Sequence, residues 1–348
     1  MARFPRICYG RFLRQMESEE DGDDETIRGV SLCGDIIAAR DDMERAMSIL
    51  GRQSGQEVSA SASKGKGKNR DTAIEMEKTY SQACELLSFK HIELDFSRYY
   101  YHNELKATER STRTPKNRLH LVKELATMAT SLPPGIWVRV DEVRNDAIKI
   151  MIAGPDDTPY HGGIFEFDCF MPLTYPATPP LVYLRTTGGG SVRFNPNLYN
   201  NGKVCLSLLG TWPGRPEEQW SPSSTLLQVL VSIQSMILID APYYNEPGHG
   251  RANVKSKVSI NYNREISQQT CRWAIVEWLE DSYRRNIWKD VIVSHFTIRK
   301  DKIRQKMLEW AAKNPTIRSY HQTSKSASGK SMDLVNQFDL GIERIQGW

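Results

Sequence analysis

The stretch IWVRVDEVRNDAIKIMIAGPDDTPYHGGIFEFDCF, residues 136–170, decides the fold. In its first five residues Ile136, Val138 and Val140 alternate with Trp137 and Arg139. AIKIMIA alternates again, and in IFEFDCF the side chains of Phe165, Phe167 and Cys169 share one face. A period of two is the signature of a strand, because successive side chains point to opposite faces. GPDDTPYHGG between the second and third runs is a long turn. YPATPP, residues 175–180, then breaks the chain, and LVYLR reads as a fourth strand. Evenly spaced strands with turn signals predict a four-stranded antiparallel meander. One face alone is apolar, so another layer must cover it.

The covering layer lies on either side in the sequence. Upstream, NRLHLVKELATMATSLPPG puts Leu121, Leu125, Met128 and Leu132 on one helical face, and Pro133, Pro134 and Gly135 stop that helix. Downstream, TLLQVLVSIQSMILID predicts a helix from about 224 to 239, with Ser223 or Ser224 as its cap. It is apolar nearly all round, which predicts burial. Cys271, Ala274, Ile275, Trp278 and Leu279 form a helical stripe, and Trp288, Val291, Ile292, His295 and Phe296 repeat the spacing. A last helix is expected over 300–312. The order of helix, four strands, irregular loop and further helices gives an α+β domain with helices segregated from the sheet.

Composition bounds the rest. The 348 residues are 39% hydrophobic and 25% charged, with a formal net charge of +4. That mild charge, with no aromatic-interleaved basic stripe, gives no case for nucleic acid. No apolar run is long enough to span a membrane. Arg3, Arg6, Arg11 and Arg14 hint at a transit peptide, but Pro5 and the acidic run from Glu17 oppose it, and a disordered end or a cut from a longer chain is the better expectation. The six cysteines are widely spaced and the seven histidines do not cluster with them, so neither a structural zinc nor a disulfide framework is expected. A reduced cytoplasmic or nuclear setting is the expectation. Residues 1–110 read as a partly disordered N-terminal region with acidic and Ser/Gly/Lys-rich segments (linker 54–70). Short helices flank that linker near 39–51 and 72–88, and the aromatic FSRYYYHNELK can pack on the domain after it. The domain itself is expected over 112–285, a helical extension over 286–315 and a flexible tail over 316–348.

One loop carries chemistry. In FNPNLYNNGKVCLSLLGTW, residues 194–212, Pro196 holds Asn195 extended, while Asn200, Asn201 and Gly202 favour left-handed turns. Cys205 ends this limited segment. Partly exposed, with Lys203 and Arg193 near in sequence, it has the parts of an acyl-accepting thiol. Asn197 supplies an amide that can face an oxyanion. The residues alone leave a second reading open, in which Cys205 is a small apolar filler at a strand end. His161 offers a hydrolase-like dyad on paper, but its place in a turn argues for a structural or solvent-facing side chain. His295 lies in an apolar stripe and reads as packing, and Trp212 and Trp220 bracket an insertion expected to be an ordered flap.

In order, KEL in the first helix, GPDDTPYHGGIFEF, MPLTYPATPPLV, NPNLYNNGKVCLSLL, WSPSSTLLQVLVSIQSMI and NREISQQTCRW resemble the ubiquitin-conjugating enzyme family over residues 117–278. The wording around Cys205, with APYYNEPG beyond the helix, is most similar to the conjugating domain of the giant inhibitor-of-apoptosis (Apollon/BRUCE-like) hybrid enzymes. The resemblance implies a cysteine transferase of the ubiquitin-conjugating fold. Cys205 would accept the modifier's C-terminus as a thioester and pass it to a substrate lysine. Asn197, eight residues before Cys205, matches the family asparagine that steadies the oxyanion or the loop, and Asn195 replaces the family histidine. An acid after the long helix would orient the lysine; Glu246 is favoured, with Asp240 and Asn245 near it. Ala177 and Pro222–Ser223 fall in the two loops that meet RING-type ligases, and Ala177 stands where a bulky aromatic is usual, which points to substrate selection by the chain itself. Implied partners are ubiquitin or another ubiquitin-like modifier, an activating enzyme, substrate proteins and, where one is used, a ligase. ATP is consumed by the activating enzyme, so no cofactor or metal is implied. A non-catalytic ubiquitin-binding scaffold is the alternative that keeps the same fold.

Overall fold

The structure, a computed structural model, describes residues 68–318 and 333–348, all within one compact unit. The helix expected near 39–51 and most of the linker over 54–70 lie outside the described residues. The first described helix is α1, Lys68–Leu87. After it come β1, Phe89–Ile92, and a short helix α2, His102–Ala107. Helix α3, Pro115–Ser131, starts at the N-cap Thr114, whose side chain accepts from the Asn117 N–H, and buries the expected Leu121, Leu125 and Met128.

The sheet has five strands in the order β1-β2-β3-β4-β5, with β2 at Ile136–Asp141, β3 at Ala147–Ala153, β4 at Ile164–Phe170 and β5 at Leu181–Leu184. Strands β2 to β5 form the expected antiparallel meander. The fifth strand corrects the count of four: β1 pairs with β2 in parallel, Phe89 opposite Val138. β1 comes from residues 1–110, the stretch read as an N-terminal region, and pairs with the sheet of the domain after it.

Both faces of the sheet are buried, which corrects the expectation of one apolar face. Ile136, Val138, Ile148, Ile150, Phe165 and Phe167 face a core closed by α3 and by α4, Leu226–Ser232, with its wider continuation Ile233–Ile237. Trp137, Met151 and Ile164 on the other face meet a second core. Its helices are α1; α5, Lys257–Gln269, with its continuation to Leu279; α6, Lys289–Ile298; α7, Lys300–Lys313; and, past α8 at Pro315–Arg318, α9 at Leu334–Gln346. The two apolar stripes read from the sequence are buried here in full. Helix α9 corrects the flexible tail over that part: Leu334, Val335, Phe338, Ile342 and Ile345 are buried, and Gly341 lies so close to Leu279 that a Cβ there would sit 2.6 Å from it.

Two details of α4 differ from expectation. Its cap is Thr225, in a box with Gln228, rather than Ser223 or Ser224. It is not apolar-buried all round, since Met236 is 61% exposed while Val229, Leu230 and Ile233 are inside.

Candidate active site

Cys205 and Asn197 are cross-braced. The Cys205 N–H donates to the Asn197 carbonyl at 2.8 Å, and Asn197 Nδ2 donates to the Cys205 carbonyl at 2.7 Å. The lobe between them turns at Gly202, φ 84°, where a Cβ would come within 2.2 Å of the Tyr183 ring, so glycine is required twice over.

Asn195 is the keystone of the loop. It is fully buried, and its Oδ1 accepts from the Asn197 N–H at 2.8 Å and from Asn245 Nδ2 at 3.3 Å. Its Nδ2 donates to the Ile237 carbonyl at 2.8 Å and to the Tyr160 hydroxyl at 3.1 Å. The Tyr160 hydroxyl donates in turn to the Phe194 carbonyl at 2.7 Å, and burial pushes its pKa well above the usual phenol value, which keeps the donor proton. Asn195 thus ties together the turn of 154–163, the continuation of α4, the loop after it and the Cys205 lobe. Neither this role nor Tyr160 is legible from composition, since Tyr160, Ile237 and Asn245 are brought to the amide by distant segments.

The thiol corrects one expectation. Cys205 is 1% exposed, because Val204 and Leu206 anchor its segment in the first core and draw it inward. The Asn197 amide, half-buried, spends one N–H on the Cys205 carbonyl. The two cations near in sequence are not directed at the sulfur. The Arg193 guanidinium donates to the Pro196 carbonyl at 2.7 Å and lies 4.2 Å over the Tyr199 ring, and Lys203 Nζ stands 5.9 Å from the same ring.

Glu246 stands at the rim of this network. Its carboxylate pairs with Arg193 at 3.2 Å, next to the Pro196 carbonyl that Arg193 also holds. Its neighbour Asn245 reaches further in, to Asn195 and to the Met236 carbonyl. Arg193, Glu246, Tyr243, Tyr262 and Glu265 line a cleft of about 280 Å³ beside the loop. Asp240 is exposed on the far side, its carbonyl accepting from Asn263.

His161 lies elsewhere. It is buried 3.0 Å from Asp156 and edge-on to Trp310, and no hydrogen bond joins it to Cys205 among the described residues. His295 is buried in the second core, as its stripe predicted. The loops bearing Ala177 and Pro222–Ser223 are exposed and adjacent. Trp220 links them: its indole N–H donates to the Pro176 carbonyl at 2.7 Å and its ring lies 5.5 Å from Tyr175. Glu124 of α3 joins the same corner, accepting from the Tyr175 hydroxyl and the Leu226 N–H at 2.5 and 2.7 Å. Among the described residues no group of three His, Cys, Asp or Glu could hold a metal, and no helix is long and apolar enough to cross a membrane.

Residues 120–270 match the family model described as ubiquitin-conjugating enzyme. The human Dual E2 ubiquitin-conjugating enzyme/E3 ubiquitin-protein ligase BIRC6 is 46% identical over 222 residues, which are 62% of this chain and 4% of that protein. Probable ubiquitin-conjugating enzyme protein 17 of Caenorhabditis elegans is 48% identical over 197 residues, 55% of this chain and 27% of its own. Putative ubiquitin-conjugating enzyme E2 38 of Arabidopsis thaliana is 48% identical over 158 residues, 45% of this chain and 47% of its own. The chain therefore spans less than half the length of each of these relatives. The matched span holds the meander, most of α3, α4, the Asn195 network and Cys205 together, and over residues 120–270 this chain matches the ubiquitin-conjugating enzyme family.

Proposed function

We propose that this chain is a ubiquitin-conjugating enzyme that carries ubiquitin on Cys205. The cross-brace between Asn197 and Cys205, inside the span matched to the family, is the observation that supports it most. In the first step the Cys205 thiolate attacks the thioester carbonyl of ubiquitin on the activating enzyme, whose thiol leaves. In the second a neutral substrate lysine attacks the new thioester, the Cys205 thiolate leaves, and the lysine's surplus proton is lost as the isopeptide bond forms. The second N–H of the Asn197 amide is the donor for the oxyanion. With Cys205 1% exposed, the segments over the sulfur must yield before either step.

Glu246 is the acid that orients the incoming amine. A carboxylate alone would raise a lysine's pKa, so the lowering must come from desolvation in the cleft walled by Tyr243 and Tyr262. The partners are the modifier, an activating enzyme and substrate proteins. The exposed Ala177, without an aromatic anchor, weakens docking of a RING ligase. The human relative is named for both conjugating and ligase activities, which agrees with a chain that selects its own substrates. The work is placed in the cytoplasm or nucleus.

The test is a non-reducing gel after incubation with activating enzyme, ATP and ubiquitin. A thiol-sensitive adduct is expected. It disappears in Cys205→Ala and becomes a thiol-resistant oxyester in Cys205→Ser. No adduct with ubiquitin, but one with another ubiquitin-like modifier, would replace the modifier and keep the chemistry. No adduct with any modifier would leave the scaffold reading.

A further inference from the structure

Helix α5 has a cleft on each flank. Tyr262, Glu265 and Ile266 face the cleft beside the Cys205 loop, which carries two carboxylates. Ile260, Asn263, Arg264 and Ser267 face a second cleft of about 240 Å³ on the other side. Its far wall is α7, with Lys306, Trp310 and Lys313, and the turn residue Pro159 closes one end.

The chemistry of this second cleft is cationic with an apolar floor. Arg264, Lys306 and Lys313 line it against a single carboxylate, Asp157. Asp157 is 94% exposed at the rim and 3.7 Å from Lys306, whose nearer partner is Glu309 at 3.3 Å. Arg264 and Lys313 are exposed and have no carboxylate partner among the described residues. Trp310 is half-buried and Ile260 is 47% exposed. Tryptophan and arginine at the centre of a concave surface are the residue types that carry binding energy in protein interfaces.

We propose that this cleft between α5 and α7 is a docking site for an acidic protein segment with an apolar anchor residue. The anchor rests on Trp310 and Ile260, and its flanking carboxylates meet Arg264 and Lys313. A nucleic acid fits less well, since Asp157 at the rim repels a continuous phosphate backbone while a peptide can place its charges selectively. An α-helix is roughly 10 Å across, so an extended segment crossing α5 from the basic cleft reaches the carboxylate-bearing cleft in about three residues. The two flanks therefore select a lysine with acidic and apolar residues a few positions away. That the occupant is a conjugation substrate rests on the conjugating role of Cys205; that it is an acidic segment does not.

The probe is a fluorescein-labelled twelve-residue peptide of Asp and Glu around a central Leu-Phe pair, followed by anisotropy with the full chain and no ubiquitin. Saturable binding is expected, weakened at least tenfold in the double variant Arg264→Glu/Lys313→Glu and absent for the same peptide with Lys in place of Asp and Glu. Circular dichroism and thioester formation on Cys205 should be unchanged in that variant, since both residues are exposed and outside the Cys205 network. Three results overturn the docking site: no saturation up to about 1 mM peptide, equal binding by the double variant, or a single-stranded oligonucleotide binding as tightly as the peptide. Failure of the thioester gel with intact peptide binding would remove the conjugating reading and leave the docking site standing.

Discussion

Asn195 shows how one side chain can hold an irregular loop in shape. Its buried amide makes four hydrogen bonds, accepting from Asn197 and Asn245 and donating to the Tyr160 hydroxyl and the Ile237 carbonyl. Removing the amide leaves the buried Ile237 carbonyl without its side-chain donor and the part-buried Asn197 N–H without its acceptor, and each such group costs about 1–3 kcal/mol. Asn195→Ala should therefore lower the unfolding free energy by roughly 2–4 kcal/mol, read as a reduced urea midpoint. On the conjugating role proposed for Cys205, it should also slow discharge of a Cys205 thioester onto free lysine more than it slows loading, because Asn197 loses its hold. Discharge at the wild-type rate would mean that the Cys205 lobe keeps its shape without Asn195.

Helix α9 makes the corresponding case for an element. Its amphipathic pattern is weak to the eye after a Ser/Lys-rich stretch, yet Phe338 is 1% exposed and Arg344 donates to the Leu279 carbonyl at 2.7 Å. Phe338→Ala should cost about 3–5 kcal/mol, the range for emptying a buried aromatic position. The check is thermal melting, with Leu340→Ala on the 45% exposed side of the same helix as the control that leaves the midpoint nearly unchanged. A Phe338→Ala protein as stable as wild type would mean that α9 does not dock in solution. Strand β1 is the same lesson at the other end of the chain. Four residues, FKHI, carry almost no pattern of their own and become a strand only because β2 offers a parallel edge.

For the molecule as a whole, the second core sets a limit on acid stability. His295 is buried among α6, α7 and the sheet, with Nδ1 2.7 Å from the Tyr80 hydroxyl and Nε2 3.1 Å from the Gly162 carbonyl. One neutral tautomer satisfies both. Burial, with a further push from the nearby Arg299, lowers its pKa to about 3. The unfolded chain binds this proton near pH 6.5 and the folded chain does not, so the stabilisation is complete above pH 6.5 and is lost as pH falls towards 3. Between pH 7 and pH 5 the loss should be about 2 kcal/mol. Urea titrations at the two pH values should show that difference in the wild type and a smaller one in His295→Gln. Identical pH dependence in both proteins would place the acid sensitivity elsewhere.

The local sequence by itself determined the meander, α3, the two buried stripes and the loop that ends at Cys205. Alternation, helical spacing and Asn-Pro-Gly turns act over a few residues, so they can be read without knowing what lies far along the chain. Arg139, Lys149, Glu166 and Asp168 read as a solvent face, because isolated charges belong in water. Only the tertiary structure showed that they face inward, Lys149 held by Asp168 and Glu166 at 2.6 and 3.1 Å and Arg139 by Asp290 at 3.2 Å. A charge can be buried when an opposite charge meets it there, and for Arg139 that partner, the part-buried Asp290, stands 151 residues away. The same distance rule hid β1 and the two-flanked α5: each depends on which remote segments come together, and no local pattern records that.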